Sequence, residues 1–297
     1  MTKFFKGIYT ALITPFKDGS LDLQSFKSLL NRQIQAQVDG IIIAGSTGEG
    51  SMLNTEEYKE LLKISSEFIG GKTKLIAGVS SNTTLKAIEI AKITEKYNVD
   101  GIMCVMPFYN RPPQRGIVKY FEAIHNATTT PIMLYTVPAR TCIDFTDETI
   151  IELSKLPRIL ALKDSGSDIE RPLRIFNKVS KGFSLFTGED TNCVAYNSHG
   201  GVGCSSVISN IAPNACKQLQ DFLAKENFSE ALQLQSKLIE LCNAIFVDTN
   251  PIAIKFAASY MKLCSAEVRS PLYEMVDENL KNNIIKTVDK LSKEIQL

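Results

Sequence analysis

The 297-residue chain contains no tryptophan and only two histidines, His125 and His199. Neither histidine falls in a CxxC, HExxH or comparable ligand spacing, so metal catalysis is disfavoured, no metal ligand is assigned, and both read as structural or solvated. A GxSxG elbow is also missing, which removes the hydrolases built on a Ser-His-Asp triad. Charge of one sign is scarce: the net charge is +1, with acidic and basic residues interspersed. No broad field therefore draws the chain to nucleic acid or anionic lipid, and a small neutral or anionic substrate is expected. Long apolar runs are lacking too. The longest charge-free stretch, Thr191 to Cys216, carries Asn, Ser, His, Gly and Pro throughout and would not be stable in lipid. The amino-terminal residues Met1 to Gly7 lack the apolar segment of a signal peptide. The seven cysteines are odd in number and widely spaced, so they read as free thiols in a reducing compartment, and a cytoplasmic location is expected.

What is present is the composition of a folded chain, 44% hydrophobic and 22% charged, enough for one large core or for a barrel with an appendage. Short apolar runs predict eight strands: Gly7–Thr14, Gly40–Ala44, Leu75–Gly78, Gly101–Met106, Ile132–Tyr135, Ile159–Lys163, Ser184–Thr187 and Gly203–Val207. Helical periodicity lies between them. Tyr58, Leu61, Leu62, Ser65 and Phe68 form one stripe, opened by Asn54 with Glu57 as a capping box, and Leu85, Ile88, Ala91 and Ile93 form another. Eight such repeats within about 225 residues predict an α/β chain of the (β/α)8 TIM-barrel type. An open doubly wound sheet is the rival, but no GxGxxG opens a first helix. Beyond Asn227 only helices are expected: Phe228–Phe246 through Ala231, Leu232, Leu238 and Ile245, one started by Pro251, and one from Asp277. The expected division is a catalytic barrel over residues 1–226 and a C-terminal helical extension over residues 227–297.

Lys163 closes the apolar run Ile159–Lys163 and is followed at once by the turn residues Asp164-Ser165-Gly166. Most lysines are solvated cations. A lysine at a barrel strand end, however, has its stem in apolar surroundings, where burial penalises the ammonium form of such a side chain and favours an amine able to attack a carbonyl. The other strand ends are rich in hydroxyls: Gly45-Ser46-Thr47-Gly48-Glu49, Pro107-Phe108-Tyr109-Asn110, Tyr135 to Arg140, and Thr187-Gly188-Glu189-Asp190. On their own these residues have ordinary readings. Tyr135 could be a buried aromatic anchored by its hydroxyl, Ser46 and Thr47 turn residues, and Arg140 a solvated cation. The glycines of the Gly45–Glu49 loop and of Gly200–Gly203 could serve tight turns needing positive φ; phosphate binding is disfavoured because neither loop holds a lysine or arginine.

Taken together and in order, GSTGE, PFYN, YTVPARTC, ALKDSG, FTGED and NPIAIK closely resemble the dihydrodipicolinate synthase (4-hydroxy-tetrahydrodipicolinate synthase) branch of the N-acetylneuraminate lyase superfamily. The resemblance covers essentially the whole chain. It implies a lyase of lysine and diaminopimelate biosynthesis that forms an imine between Lys163 and pyruvate, makes an enamine from it, and adds that enamine to L-aspartate 4-semialdehyde. No separate cofactor is implied. By the same resemblance Tyr135, Ser46 and Tyr109 form a hydroxyl proton relay. Thr47 and its loop hold the pyruvate carboxylate, Arg140 holds the carboxylate of the aldehyde, and the backbone carbonyls of Gly188 and Ser205 line the site.

Several residues depart from the family pattern. Ser46 stands for the usual threonine, Thr136 for asparagine, Cys142 for glycine, Ser205 for isoleucine, and Asp164-Ser165 for a Glu-Ala pair. The resemblance further implies a homo-oligomer, a dimer of dimers, with Tyr109 reaching into a neighbour's relay. The positions matching a lysine-inhibition pocket are Gly50, Ser51, Thr55, Tyr58, Asn82, Lys86 and Phe108. Two imidazoles are replaced there by Thr55 and Tyr58, and a carboxylate by Lys86, so feedback by L-lysine is expected to be weak or absent. The alternatives are another pyruvate-dependent aldolase of the superfamily, or a non-catalytic barrel that binds a keto acid.

Overall fold

The computed structural model describes residues 3–295 and 297; Met1 and Thr2, part of the amino-terminal stretch read above, lie outside them. The described residues form ten strands: β1 (Gly7–Ala11), β2 (Phe16–Lys17), β3 (Ser20–Leu21), β4 (Gly40–Ile43), β5 (Lys74–Val79), β6 (Gly101–Val105), β7 (Ile132–Thr136), β8 (Ile159–Asp164), β9 (Ser184–Thr187) and β10 (Gly203–Ser206). Strands β4 to β10 lie side by side in sequence order, and β1 closes the ring between β10 and β4, every pairing being parallel. The eight expected strands are the eight of the barrel. The first is shorter than expected because the chain leaves the sheet after Leu12, where the Ile13 N–H turns to the Asn210 side chain at 3.0 Å. The hairpin β2–β3 was not anticipated. It turns on Asp18-Gly19, both with positive φ.

Alternation along the strands sorts the core into an inside and an outside. Phe5, Tyr9, Ile42, Ile76, Met103, Met133, Ala161 and Phe186 fill the barrel, with Tyr9 stacked edge-on against Phe186 at 5.2 Å between ring centroids. The intervening residues, such as Ile41, Ile43, Ile102, Leu134 and Leu162, pack under the surrounding helices.

Helix Thr55–Ile69 starts at the expected capping box, with Asn54 accepting from the N–H groups of Glu56 and Glu57 while Glu57 accepts from that of Asn54. Helix Thr84–Thr94 faces the barrel differently from expectation. Ala87, Ala91 and Thr94 are buried and Leu85 is 83% exposed, because Leu85 lies about 200° round the helix from Ala87. Leu232 of helix Phe228–Ile245 is likewise exposed, whereas Ala231, Leu238 and Ile245 are buried.

Helices Phe228–Ile245, Ile252–Tyr260 and Glu278–Glu294 follow the barrel, the last capped by Asp277. Their apolar faces (Leu238, Leu241, Ala253, Ala257, Ile284, Val288) share one hydrophobic cluster with Ile8, Leu12 and Ile13 of the barrel. The tail therefore carries the segment around Asn250 back to the barrel. No helix among the described residues is long and apolar enough to cross a membrane.

Candidate active site

Parallel strands all end on the same face, so residues far apart in sequence converge there. Lys163 and Tyr135 are directly paired across β7 and β8. Lys163 is 5% exposed, and its Nζ sits 4.3 Å from the centroid of the Tyr135 ring. Among the described residues no carboxylate forms an ion pair with it. The chain's other deeply buried lysine, Lys255, behaves in the ordinary way and pairs with Glu49.

Gly188 presses against Lys163 from the end of β9. A Cβ there would lie 1.9 Å from Ser165 Oγ and 2.9 Å from Lys163 Cε, so any larger residue would have to displace both side chains. Glu189 and Asp190 follow. Burial raises both carboxyls above their usual range, against the opposing pull of the Lys163 charge. Asp190 Oδ2 also accepts from the backbone N–H groups of Val207 at 2.8 Å and Ile208 at 3.3 Å, fixing the turn after β10. Ser205, on β10, is fully buried, and its Oγ has no hydrogen-bond partner among the described residues.

A network that sequence reasoning missed locks the ends of β7 and β8 together. Arg171, buried on the helix Arg171–Ile175, donates to Asp164 Oδ2 at 2.9 Å and to Asp144 Oδ2 at 2.6 Å. Asp144 Oδ1 in turn accepts from Thr136 Oγ1 at 2.7 Å. Thr136 and Asp164 are the neighbours of Tyr135 and Lys163, so the clamp holds those two residues in register. Burial pushes the Asp164 carboxyl up to about 6, with the Arg171 charge pulling the other way. Thr136 thus has a defined partner. Cys142 sits at φ +57° as the residue closing the short helix Pro138–Thr141, a left-handed position that favours glycine.

At the same mouth a cavity of about 250 Å³ opens between Ser46, Ser80, Val105, Phe108, Val137, Arg140 and Asn250; Lys163 and Tyr135 are not among the residues that line it. Asn250 joins its two sides. Its backbone carbonyl accepts from Arg140 Nη2 at 2.8 Å, and its side-chain amide donates to Thr47 Oγ1 at 2.9 Å. Asn250 was visible only as part of the NPIAIK motif, and nothing local marked it as a bridge.

The turn bearing Ser46 and Thr47 differs from the expectation of glycines at positive φ. Ala44 and Glu49 take the left-handed conformation, and the glycines instead permit close approach: a Cβ on Gly50 would lie 1.8 Å from the Ala44 carbonyl oxygen and one on Gly48 2.8 Å from that of Leu12. Glu49 is held by Lys255 Nζ and by the Arg269 N–H at 2.8 Å.

Ser46, Thr47, Tyr135, Arg140, Lys163, Gly188 and Ser205 therefore gather at one end of the barrel. Tyr109 does not join them: it is 87% exposed at the tip of its loop, with φ +69°. His125 and His199 are also elsewhere, His125 against Asn126 and Arg158, and His199 against the Ile169 carbonyl at 2.8 Å. Larger hollows of about 450 and 570 Å³ lie at the opposite mouth, around Lys6, Asp39 and Gly201 and around Gln37, Lys72 and Asp100. They contain none of these groups. All seven cysteines are unpaired.

A buried lysine at a strand end of a (β/α)8 barrel, lying over a tyrosine ring and at the same mouth as Ser46, Thr47 and Arg140, is the arrangement of a carbonyl-condensing enzyme of the Schiff-base type. Comparison with known proteins specifies the family. The model of the Dihydrodipicolinate synthetase family matches residues 4–291. The chain is 52% identical over 287 residues to 4-hydroxy-tetrahydrodipicolinate synthase of Rickettsia felis, covering 96% of this chain and 98% of that one. It is 50% identical over 281 residues to the protein of the same name from Rickettsia bellii, covering 95% and 96%. Among solved structures, the 4-hydroxy-tetrahydrodipicolinate synthase of Methylacidiphilum fumariolicum SolV superposes with a TM-score of 0.94 at 35% identity, over 97% of this chain and 98% of that one. The enzyme from Cyanidioschyzon merolae with lysine bound gives 0.94 at 34% identity, over 98% and 99%. The chain belongs to the dihydrodipicolinate synthetase family.

Proposed function

We propose that this chain acts as a 4-hydroxy-tetrahydrodipicolinate synthase, condensing pyruvate with L-aspartate 4-semialdehyde through an imine on Lys163. The observation that carries the reading is the buried Lys163 amine, free of any carboxylate partner among the described residues, lying over the Tyr135 ring. Nζ attacks C2 of pyruvate, and the carbinolamine loses water to leave a protonated imine. That nitrogen draws electrons from C2, so a methyl proton can leave and the enamine forms. The enamine carbon then bonds to the aldehyde carbon, and the resulting alkoxide is protonated. Finally the amine of the second substrate attacks C2 and displaces Lys163, closing the ring and regenerating the free side chain.

Proton transfers fall to hydroxyls, which both donate and accept, because no histidine is near. Tyr135 serves the nitrogen and C2, and Ser46 extends the relay towards the cavity. Thr47 and its turn hold the pyruvate carboxylate, Arg140 pairs with that of the aldehyde, and the carbonyls of Gly188 and Ser205 line the floor. Asn250 ties the two carboxylate sites together. The exposure of Tyr109 supports its use by a second copy, within a dimer of dimers, so that one chain alone carries an incomplete relay. No cofactor is required beyond the covalent imine. A reducing cytoplasm suits seven unpaired thiols, five of them buried.

Borohydride reduction in the presence of labelled pyruvate, followed by peptide mapping, tests the reading. Label on Lys163 is expected; its absence favours a barrel that binds keto acids without chemistry. Steady-state rates with aspartate semialdehyde against sugar-acid and hydroxy-oxo-acid substrates then distinguish the synthase from other pyruvate aldolases.

A further inference from the structure

Ser205 carries a hydroxyl that the protein itself leaves unused. The residue is 0% exposed, and Oγ has no partner among the described residues. Buried polar groups are ordinarily satisfied, and an orphan calls for a physical account. Ser65 is also without a partner, but it lies on helix Thr55–Ile69, where a serine can rotate to the carbonyl one turn back. A strand offers no such carbonyl.

The direction of the Ser205 side chain follows from its neighbours. Cys204 belongs to the cluster outside the barrel, and Ser206 Oγ accepts from the Ser209 N–H at 2.9 Å and meets Cys216 Sγ at 3.8 Å, also outside. Gly203, two residues before Ser205, faces inward, where a Cβ would strike the Phe186 ring at 2.5 Å. Ser205 therefore points into the barrel.

Register gives its height. Gly203 pairs with Phe186 and Cys204 with Thr187, so the next step sets Ser205 beside Gly188, the residue packed against Lys163 Cε. On its other side Ser205 pairs with Tyr9 of β1, and β1 borders β4, whose end carries Ser46 and Thr47. Ser205 thus occupies the arc between the amine and the turn assigned to the carboxylate. A three-carbon acid carried on the extended Lys163 side chain, with its carboxylate towards that turn, brings an anionic acceptor past this donor.

We propose that the Ser205 hydroxyl donates a hydrogen bond to the carboxylate of the 2-oxo acid while its C2 is bound to Lys163, and so sets how tightly this chain holds pyruvate. The proposal rests on the Lys163 reading. It gives the side chain a role distinct from that of the Ser205 carbonyl, which any residue would supply.

The test is Ser205→Ala, with two measurements on the full chain. A hydrogen bond to a charged group makes a difference of roughly tenfold or more in affinity. The pyruvate KM, and the pyruvate concentration giving half-maximal borohydride trapping, are both expected to rise by about that factor, and by more than the KM for the aldehyde. The pyruvate-free variant is expected to unfold at the same or a higher temperature, because it buries one fewer unsatisfied group. A hydroxyl with a structural partner would instead lower the midpoint. Pyruvate affinity within twofold of the parent, or a clear fall in the pyruvate-free midpoint, overturns the proposal while leaving the imine intact. Failure of the parent protein itself to form an adduct at Lys163 overturns both readings.

Discussion

Replacing Lys255 by methionine should destabilise the protein severely and loosen the turn proposed to hold pyruvate. The side chains of Lys255 and Glu49 are both fully buried. Lys255 Nζ also donates to the Glu267 carbonyl at 2.6 Å and lies 4.3 Å from the Phe16 ring centroid, while Glu49 Oε2 accepts from the Arg269 N–H at 2.8 Å. Methionine fills nearly the same volume but leaves the Glu49 carboxylate buried without its cation. Breaking a buried pair in this way costs about 3–5 kcal/mol. Against a total of about 5–15 kcal/mol for a folded protein, that is a large share.

The loss should appear as a lower urea midpoint at fixed protein concentration, with the slope unchanged. Glu49→Gln in the Lys255→Met background removes the stranded charge and should recover more than half of the loss, the residue being the unpaired Glu267 carbonyl. The functional consequence follows from the turn itself. Glu49 N–H donates to the Ser46 carbonyl at 3.1 Å and Gly50 N–H to that of Gly45 at 3.0 Å, so movement of Glu49 shifts Ser46 and Thr47. The pyruvate KM should rise in the single variant and fall back in the double one. An unchanged midpoint in Lys255→Met, or no recovery in the double variant, would refute the assignment of this pair as the anchor of the turn.

Tyr109→Phe should lose most turnover while Lys163 still forms a borohydride-trapped adduct with pyruvate, because in the proposed relay the phenol serves proton transfer and not the imine; unchanged turnover counts against a site shared between copies. L-Lysine below millimolar concentration should leave the rate unaltered. Four of the positions matching the inhibition pocket, Gly50, Thr55, Tyr58 and Lys86, line a hollow of about 70 Å³ into which the buried Tyr58 is packed, its hydroxyl reaching the Gly78 carbonyl at 3.1 Å and Thr94 Oγ1 at 2.8 Å, and the Lys86 ammonium, paired with Glu89 at 3.1 Å, stands where an attracting carboxylate would be needed. A rate titration showing sub-millimolar inhibition would sink that expectation.

The barrel was legible because its strands are buried on both faces and so read as continuous apolar runs, which stand out even in isolation. Lys163 was legible for the same reason, as a charge ending such a run. The hairpin β2–β3 escaped despite its Asp18-Gly19 turn, since two-residue strands carry no periodicity. The supports of the site escaped for a different reason. Glu49 and Lys255 are 206 residues apart, Thr47 and Asn250 are 203 apart, and Arg171 reaches Asp144 across 27. Hydrophobic periodicity is local and says nothing of such pairs. Five of the six motifs could be placed at one mouth because every parallel strand must end there, whereas NPIAIK lies in the tail between helices and carries no such signal. Which motif grips which depends on the path by which the tail helices return Asn250 and Lys255 to the turn after β4. Those contacts join Thr47 and Arg140, the residues proposed to hold the two carboxylates, through the single residue Asn250, so in that reading the helices beyond the barrel position the site without supplying a reacting group.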